Sequence, residues 1–242
     1  MIKVTVWNEY TGQDHPEVVS ANPGGIHAVL ASFLGEETDF KVRTAILEEP
    51  QCGLTDEVLE NTDVLLWWGH SAHHMVPDEI VEKVVKAVQK GMGLIALHSS
   101  HLAKPFVRLM GTTCTLKWRD GDYEKLWTVA PYHPIAEGVP ECIDLESEEM
   151  YGERFDIPEP DELIFLGWFS GGELFRSGCV WNRGYGKVFY FQPGHETNRS
   201  YSNEHIQKII INAVRFVAPT IKRNKISCPN PQPAMKTEKI KA

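Results

Sequence analysis

Short apolar runs alternate with amphipathic segments over the first hundred residues, a pattern typical of folds built from strand–helix repeats. Four of the runs predict strands, at 2–7, 40–47, 63–68 and 93–98. The run DVLLWW is apolar almost throughout, as expected for a parallel strand that is covered on both faces. Residues 25–33 and 77–91 have helical spacing. This order predicts a mostly parallel sheet with right-handed crossovers and helices on both faces.

The second half of the chain contains shorter strand-like segments. The segments that predict strands are LMGTTCTLKW, EKLWTVA, ELIFLGWFS, RSGCVWNRG and KVFYFQP. The sequence NRGYG at 182–186 predicts a hairpin turn, because its glycines can adopt positive φ. Apolar residues at helical spacing predict a closing helix over 203–217. We therefore expect a doubly wound α/β sheet that carries an antiparallel extension.

Length and composition fit one α/β domain, residues 1–221, followed by a basic, Pro-rich tail, residues 222–242. Hydrophobic residues make up 42% and charged residues 24% of the chain, which is ordinary for a soluble globular protein. No apolar run approaches the roughly 20 residues that span a bilayer, and the first residues lack the pattern of a signal peptide. We expect a cytoplasmic protein that does not contact membranes and keeps its five cysteines reduced.

The distribution of charge along the chain indicates which partners the protein could bind. The net charge of −9 argues against a nucleic-acid-binding protein. The tail carries six Lys and Arg residues against one Glu, so the rest of the chain is strongly acidic. Opposite charges attract, and a tail of this kind could contact the acidic body of a neighbouring subunit. We expect a homo-oligomer in which the tail takes part.

Three histidine clusters each follow an apolar run, in WWGHSAHH, LIALHSSH and FYFQPGHE. Ligands of open α/β sheets bind in the crevice at the carboxyl ends of the strands. If the three strands are parallel neighbours, His70, His98 and His195 converge at one edge of the sheet. Three nitrogen ligands with one open position form the arrangement of a catalytic zinc site. The pattern predicts a histidine site with Zn²⁺ bound by these three residues.

Further site residues are predicted by their positions at strand ends and in neighbouring turns. Asn8 and Glu9 follow the first strand, beside the point where the strand order of a flavodoxin-like sheet reverses. The predicted catalytic residues are Glu9, His98, Ser99, His195 and Glu196. The predicted substrate-binding residues are Asn8, Trp68, His73, His101 and His133. The sequence leaves open the roles of His15, His27 and His74.

Other chemistries are disfavoured by missing motifs. The chain has no GxSxG, no Walker A sequence and no GxGxxG after the first strand, so we expect no nucleotide cofactor. One or two of the seven tryptophans are expected in the pocket, since aromatic faces suit sugar rings. The acidic residues Glu146, Glu148 and Glu149 are interpreted as a solvated face. The alternative is that one of them brings a carboxylate to the site.

Several sequence blocks in order resemble the ThuA-like (trehalose utilisation) family. They are VWNE, PGGIHA, DVLLWWGH, GLIALHSSH, KPFVRLMG, HPIAEGVP, EEMYGE and FYFQPGHET, between about residues 2 and 218. The resemblance implies a flavodoxin-like three-layer α/β/α sandwich, similar to the class I glutamine amidotransferases. It also implies a role in disaccharide catabolism, with a disaccharide or keto-sugar derivative as substrate.

The same resemblance bears on chemistry. His98 is similar in position to the nucleophilic cysteine of the amidotransferases, and His195 and Glu196 are similar to their catalytic histidine and glutamate. Because the cysteine is absent, glutamine hydrolysis is not expected. We expect a metal-assisted enzyme that acts on a small carbohydrate. Two alternatives remain open: a metal-free hydrolase with Ser99 activated by His195, and a non-catalytic protein that binds a sugar or a partner.

Overall fold

Nine strands and six helices are present in the computed structural model, which describes residues 1–11, 15–227 and 230. The strands are β1 (Ile2–Asn8), β2 (Phe40–Ile46), β3 (Val64–Trp68), β4 (Gly93–Leu97), β5 (Lys117–Thr128), β6 (Cys142–Gly152), β7 (Glu162–Phe169), β8 (Leu174–Arg183) and β9 (Gly186–Phe191). The helices are α1 (Pro16–Ala21), α2 (Ile26–Gly35), α3 (Asp56–Glu60), α4 (Asp78–Gln89), α5 (Lys104–Met110) and α6 (Glu204–Val217).

All nine strands form one sheet in the order β2-β1-β3-β4-β9-β8-β7-β5-β6. The first five strands in this order pair in parallel, and the remaining pairs are antiparallel. The strand order reverses between β1 and β3, because β2 lies on one side of β1 and all later strands lie on the other. The prediction of a mostly parallel doubly wound sheet with an antiparallel extension is confirmed.

Two apolar layers cover the two faces of this sheet. The face that packs on α4 buries Val84 and Val88 of that helix together with Trp7 and Trp67, whose rings stack with centroids 3.9 Å apart. The opposite face packs on α2 and α6. Each fully buried aliphatic or aromatic side chain contributes about 1.5–3 kcal/mol to folding. The result is the expected three-layer α/β/α sandwich.

Two sequence-based predictions are wrong in the second half of the chain. LMGTTCTLKW does not form one strand, because Leu109 and Met110 end α5 and β5 starts only at Lys117. The acidic run around Glu148 and Glu149 is not a solvated face, because both residues are buried within β6. Both errors have one cause: local residue pattern does not show which tertiary surface a segment meets.

Residues Pro16–Gly35 are long and apolar enough to span a membrane by length and composition alone, with a mean hydropathy of 1.2. In the structure this segment is divided into α1 and α2 by a turn at 22–25. Helix α2 buries Ile26, Leu30, Phe33 and Leu34 against the sheet. The apolar character of the segment therefore serves the protein core in this structure.

The start of the predicted tail contacts the body directly. The backbone N–H of Arg223 donates to the carbonyl of Lys90 at 2.8 Å, and Lys222 Nζ lies 2.6 Å from a carboxylate oxygen of Asp63. Most of the Pro-rich part of the tail, 228–229 and 231–242, lies outside the described residues. So does 12–14, in the loop before His15.

Candidate active site

Three neighbouring parallel strands bring the histidine clusters together. His98 directly follows β4, and His70 and His195 lie in the loops after β3 and β9, the strands on either side of β4. The ring centroids are 6.4 Å apart for His70 and His98, 5.4 Å for His70 and His195, and 5.3 Å for His98 and His195. The three imidazoles thus form one cluster at the carboxyl edge of the sheet.

His98 stands at a sharp turn between β4 and the short helix His98–Leu102. Its φ is +51°, in the left-handed region that side chains other than glycine rarely occupy. A strand-to-helix turn of this kind presents a side chain at the sheet edge, as in nucleophile elbows. The ring is fully buried, with Nδ1 donating to the Gln192 carbonyl at 2.8 Å and Nε2 lying 2.9 Å from a carboxylate oxygen of Glu149.

His70 and Glu196 form a tight pair on the more open side of the cluster. His70 Nδ1 lies 2.6 Å from Glu196 Oε1. This hydrogen bond raises the pKa of His70, against the effect of burial. Burial alone would raise the pKa of Glu196, but the His70 hydrogen bond and the nearby His70 and His195 charges lower it to about 2. The pair is therefore an imidazolium–carboxylate pair in mildly acidic solution.

His195 lies between the other two histidines. Thr197 occupies its Nδ1, with the hydroxyl oxygen 2.8 Å away. Its Nε2 lies 3.4 Å from Glu196 Oε2, and that carboxylate oxygen is buried without a hydrogen-bond partner in the described part of the chain. Burial and the neighbouring His98 lower the pKa of His195, so a neutral imidazole is favoured there near pH 7.

Strand β6 of the antiparallel extension supplies two side chains that the sequence reasoning did not assign to the site. Glu149 accepts the bond from His98, and the Tyr151 ring stacks on His98 at 5.0 Å between centroids. Burial alone would raise the pKa of Glu149, but the hydrogen bond from His98 and the histidine charges lower it. The sequence block EEMYGE could have indicated these two residues, because Glu149 and Tyr151 are two positions apart and so lie on the same face of a strand.

Glu148, the neighbour of Glu149 on β6, holds the loop that carries His195. Its carboxylate accepts from the Gly194 backbone N–H at 3.2 Å and from the Ser200 hydroxyl. Burial raises the pKa of Glu148, and the nearby His98 charge and these hydrogen bonds oppose the shift. Glu148 therefore fixes the loop that carries His195, whereas the adjacent Glu149 contacts the histidine cluster.

Glu9 fixes the other histidine loop. Its Oε1 accepts from the Ser71 backbone N–H at 2.8 Å, and its Oε2 accepts from the Ala72 backbone N–H at 3.0 Å. The Thr11 hydroxyl also donates to Oε1, at 2.9 Å. Because both oxygens are occupied by donors, this geometry suits a residue that positions His70 rather than one that accepts a proton from a substrate.

Several predicted substrate-binding residues lie behind the cluster instead of at its surface. Asn8 is buried, with its side-chain nitrogen 3.2 Å from Nδ1 of His27. Trp68 is buried and donates its indole N–H to the Gly194 carbonyl at 3.1 Å. His73 is largely buried, which lowers its pKa, and its Nε2 has no hydrogen-bond partner among the described residues. These three side chains support the loops of the site.

Ser99 and His101 reach the cavity in front of the cluster. The Ser99 hydroxyl donates to the Gly69 carbonyl at 2.8 Å, and none of its described hydrogen bonds involves His195. His101 donates Nδ1–H to the Cys114 carbonyl at 2.7 Å, and burial lowers its pKa to about 4. His101 is therefore neutral near pH 7 and can accept a hydrogen bond through Nε2.

The structure does not bring His133 to the cluster. Its ring packs on Phe216 near the end of α6, with centroids 4.5 Å apart, and its Nε2 lies 3.1 Å from Glu162. His133 Nδ1 accepts from the Ile135 N–H and so begins a short helical turn. The two other histidines without an assigned role, His15 and His74, are exposed.

A cavity of about 510 Å³ opens beside the cluster, within the roughly 300–1,000 Å³ range of small-molecule sites. Its lining includes His70, Ser99 and Glu149 of the site and Trp118 and Asp120 of β5. The other lining residues are His101, Leu102, Thr115, Leu116 and Tyr151. His98 lies directly behind this wall, in contact with Glu149 and Tyr151.

The possible metal ligands fall into two groups among the described residues. One group is His70, His195 and Glu196, and the other is His98, Glu149 and His195; the ligand atoms of each lie within 4.8 Å of one another. Each group contains two histidines and one carboxylate, and His195 belongs to both. This differs from the three-histidine set expected from the sequence, because a carboxylate stands beside each outer histidine.

The sheet order and the site at the carboxyl ends of β3, β4 and β9 define a flavodoxin-like fold, similar to that of the class I glutamine amidotransferases. Residues 3–217 match the model of the ThuA family, described as trehalose utilisation. The chain belongs to this family.

Solved structures show the same fold. A ThuA-like protein from Parabacteroides merdae has 17% identity and a TM-score of 0.69, with 93% of this chain and 92% of that chain covered. A Salmonella typhimurium protein described as cytoplasmic has 12% identity and a TM-score of 0.60, with 90% and 100% covered. PurLQS from Thermotoga maritima has 12% identity and a TM-score of 0.52, with 89% and 99% covered. No match is found among curated proteins.

Proposed function

We propose that this chain is a cytoplasmic enzyme that acts on a disaccharide or keto-sugar derivative with the help of a Zn²⁺ ion. The observation that carries the proposal is the convergence of His70, His98 and His195 with two carboxylates beside one cavity. Membership of the trehalose-utilisation family supports a carbohydrate substrate. A metal would supply Lewis-acid polarisation of a substrate oxygen, or a bound water with a pKa near 7.

The donor set fits zinc. An oxygen acceptor lies beside Nδ1 of two of the histidines, a carboxylate for His70 and a carbonyl for His98. Such partners orient metal-binding imidazoles so that Nε2 is presented. Nδ1 of His195 contacts both the hydroxyl and the backbone N–H of Thr197, which fixes the orientation of this ring. The buried, unpartnered Glu196 Oε2 lies 3.4 Å from His195 Nε2, close to the separation of two tetrahedral zinc ligands at about 2.0–2.2 Å from the ion.

The chain's own residues divide into ligands, proton carriers and supports. His70 and His195 with Glu196 are the more exposed donors, and they lie on the side from which a substrate would enter. Glu149 lines the cavity, and its carboxylate lies 2.9 Å from Nε2 of His98. With that nitrogen bound to the metal, the carboxylate would be free to accept a proton, so Glu149 is the candidate general base.

The metal-free hydrolase is the weaker alternative, because the described hydrogen bond of the Ser99 hydroxyl goes to a backbone carbonyl and not to His195. The structure offers no observation that favours a non-catalytic sugar-binding role over catalysis. We also propose that the chain forms a homo-oligomer, since its tail is basic and its body acidic. Light scattering measures this, and an unchanged mass after truncation at residue 221 would remove the tail from the interface.

Zinc content tests the metal proposal. We expect about one zinc per chain by elemental analysis, and loss of most of it in His98→Asn, because asparagine tolerates the left-handed backbone but lacks the imidazole. His205→Asn, on the half-exposed start of α6, is the matched control and is expected to keep its zinc. Full zinc content in His98→Asn would remove His98 from the ligand set, and a native protein without stoichiometric metal would contradict the proposal.

A further inference from the structure

Strand β5 contributes two side chains to the cavity beside the histidine cluster. Trp118 and Asp120 line the cavity, and Trp118 is 63% exposed although it is a large aromatic residue. An exposed indole that lines a cavity is unusual, because side chains of this size normally contribute to the core. We expect a bound ligand to cover the exposed indole ring of Trp118.

Strand pairing places Trp118 beside the site. Trp118 of β5 lies opposite Tyr151 of β6 in the antiparallel register, so their Cβ atoms are about 5 Å apart on the same face. Tyr151 in turn stacks on His98 with ring centroids 5.0 Å apart. Only the Tyr151 side chain therefore lies between Trp118 and His98 in this series of contacts.

Polar groups near the indole can bind ring hydroxyls. Asp120 follows Trp118 by two residues and lines the cavity, as does Glu149. Carboxylate oxygens accept hydrogen bonds from hydroxyl groups. Cations lie nearby as well, because Lys117 and Arg119 line a neighbouring concavity together with Trp118 and Asp120.

We propose that Trp118, Asp120 and Tyr151 form a subsite for the second ring of a disaccharide. The proposal rests on the proposed function, because the first ring would lie at the histidine end of the same cavity. The apolar face of a sugar ring covers the exposed indole of Trp118, and Asp120 accepts hydrogen bonds from the ring hydroxyls.

Trehalose, glucose and trehalose 6-phosphate serve as probes, with affinities measured by titration calorimetry on the full chain. We expect trehalose to bind more tightly than glucose; trehalose 6-phosphate shows whether a charged second ring is also accepted. Trp118→Ala is expected to lower the affinity for trehalose about tenfold and to leave the affinity for glucose unchanged. Trp127→Ala is the matched control, since Trp127 lies on the same strand, is 40% exposed and is not among the residues that line the cavity.

The measurements test the subsite proposal and the metal proposal independently. Unchanged trehalose binding in Trp118→Ala, equal loss of glucose and trehalose, or absence of trehalose binding by the native chain would each overturn the subsite. Zinc content is measured on the same samples. A chain without zinc in which Trp118→Ala still selectively weakens trehalose binding would keep the subsite and remove the metal.

Discussion

At the scale of single residues, buried carboxyls near the site differ because their partners differ. Glu149 is paired with His98, and its pKa is lowered. Glu124 on β5 is fully buried, and one of its carboxylate oxygens has no partner among the described residues. Burial, and then the charge of Glu148, raise the pKa of Glu124 well above its ordinary value. The environment of Glu149 thus favours an ionised carboxylate, and that of Glu124 favours a neutral acid.

The neutral state of Glu124 leads to a stability prediction. A carboxyl whose folded pKa lies above its unfolded pKa stabilises the protein at low pH and loses this contribution as pH rises from about 4.5 toward the folded pKa. Glu124→Gln is neutral at every pH. We expect the free energy of unfolding of Glu124→Gln to improve relative to wild type as pH rises from 5 to 8.

Urea denaturation of both proteins across this range measures the difference. Glu146→Gln, an exposed glutamate on β6, is the control and is expected to show little pH dependence relative to wild type. A difference between Glu124→Gln and wild type that stays constant from pH 5 to 8 would show that Glu124 ionises normally in the folded protein.

At the scale of elements, α6 begins with a clear capping interaction next to the loop that carries His195. The Asn203 side chain accepts from the backbone N–H of His205 at 2.9 Å and of Ile206 at 3.3 Å. Removing such a cap costs about 1 kcal/mol. We expect Asn203→Ala to lower the free energy of unfolding by about this amount and Asn203→Asp to preserve it, as measured by urea denaturation. A loss in Asn203→Asp as large as in Asn203→Ala would contradict the role of the side-chain oxygen.

The parallel strands were predictable because a strand covered on both faces is apolar throughout, as β3 and β4 are. The burial of β6 was not predictable, because its inner positions include Glu148 and Glu149. Their burial depends on hydrogen bonds from Ser200 and His98. These partners are about 50 residues away in sequence. No local pattern of hydrophobicity contains that information.

The candidate site also contains residues whose positions could be predicted from the sequence and residues whose positions could not. The convergence of His70, His98 and His195 could be predicted, because parallel neighbours present their carboxyl ends at one edge. The positions of Glu149, Tyr151 and Trp118 could not, since they depend on how the antiparallel strands curve back over that edge. His133 precedes a proline in a turn, and its sequence gives no indication that it packs on α6.

At the scale of the whole molecule, the two halves of the sheet have different roles. The parallel half supplies the three histidines through the loops after β3, β4 and β9. The antiparallel half supplies the carboxylate that contacts His98 and the aromatic wall of the cavity. The cavity therefore lies where the two halves meet, so a substrate would contact both.

The opposite, amino-terminal edge of the sheet is closed by residues 221–223. The carbonyl oxygen of Ile221 packs against Gly91, whose φ of +128° and lack of a side chain allow this approach. Lys222 Nζ donates to the Thr62 carbonyl at 2.9 Å and pairs with Asp63. Because β3 begins just after Thr62, the segment fastens the end of the chain to the start of a central strand.

Removing this segment is expected to destabilise the protein without affecting its site. Chains that end at residue 220 and at residue 227 differ by the contacts of Lys222 and Arg223. Two hydrogen bonds to backbone carbonyls and one half-exposed ion pair contribute about 1–3 kcal/mol together. We therefore expect the shorter chain to unfold at lower urea concentration while both chains bind the same amount of zinc. Equal unfolding midpoints would show that the segment rests on the sheet edge without stabilising it, and a loss of zinc from the shorter chain alone would show that the two edges of the sheet are coupled.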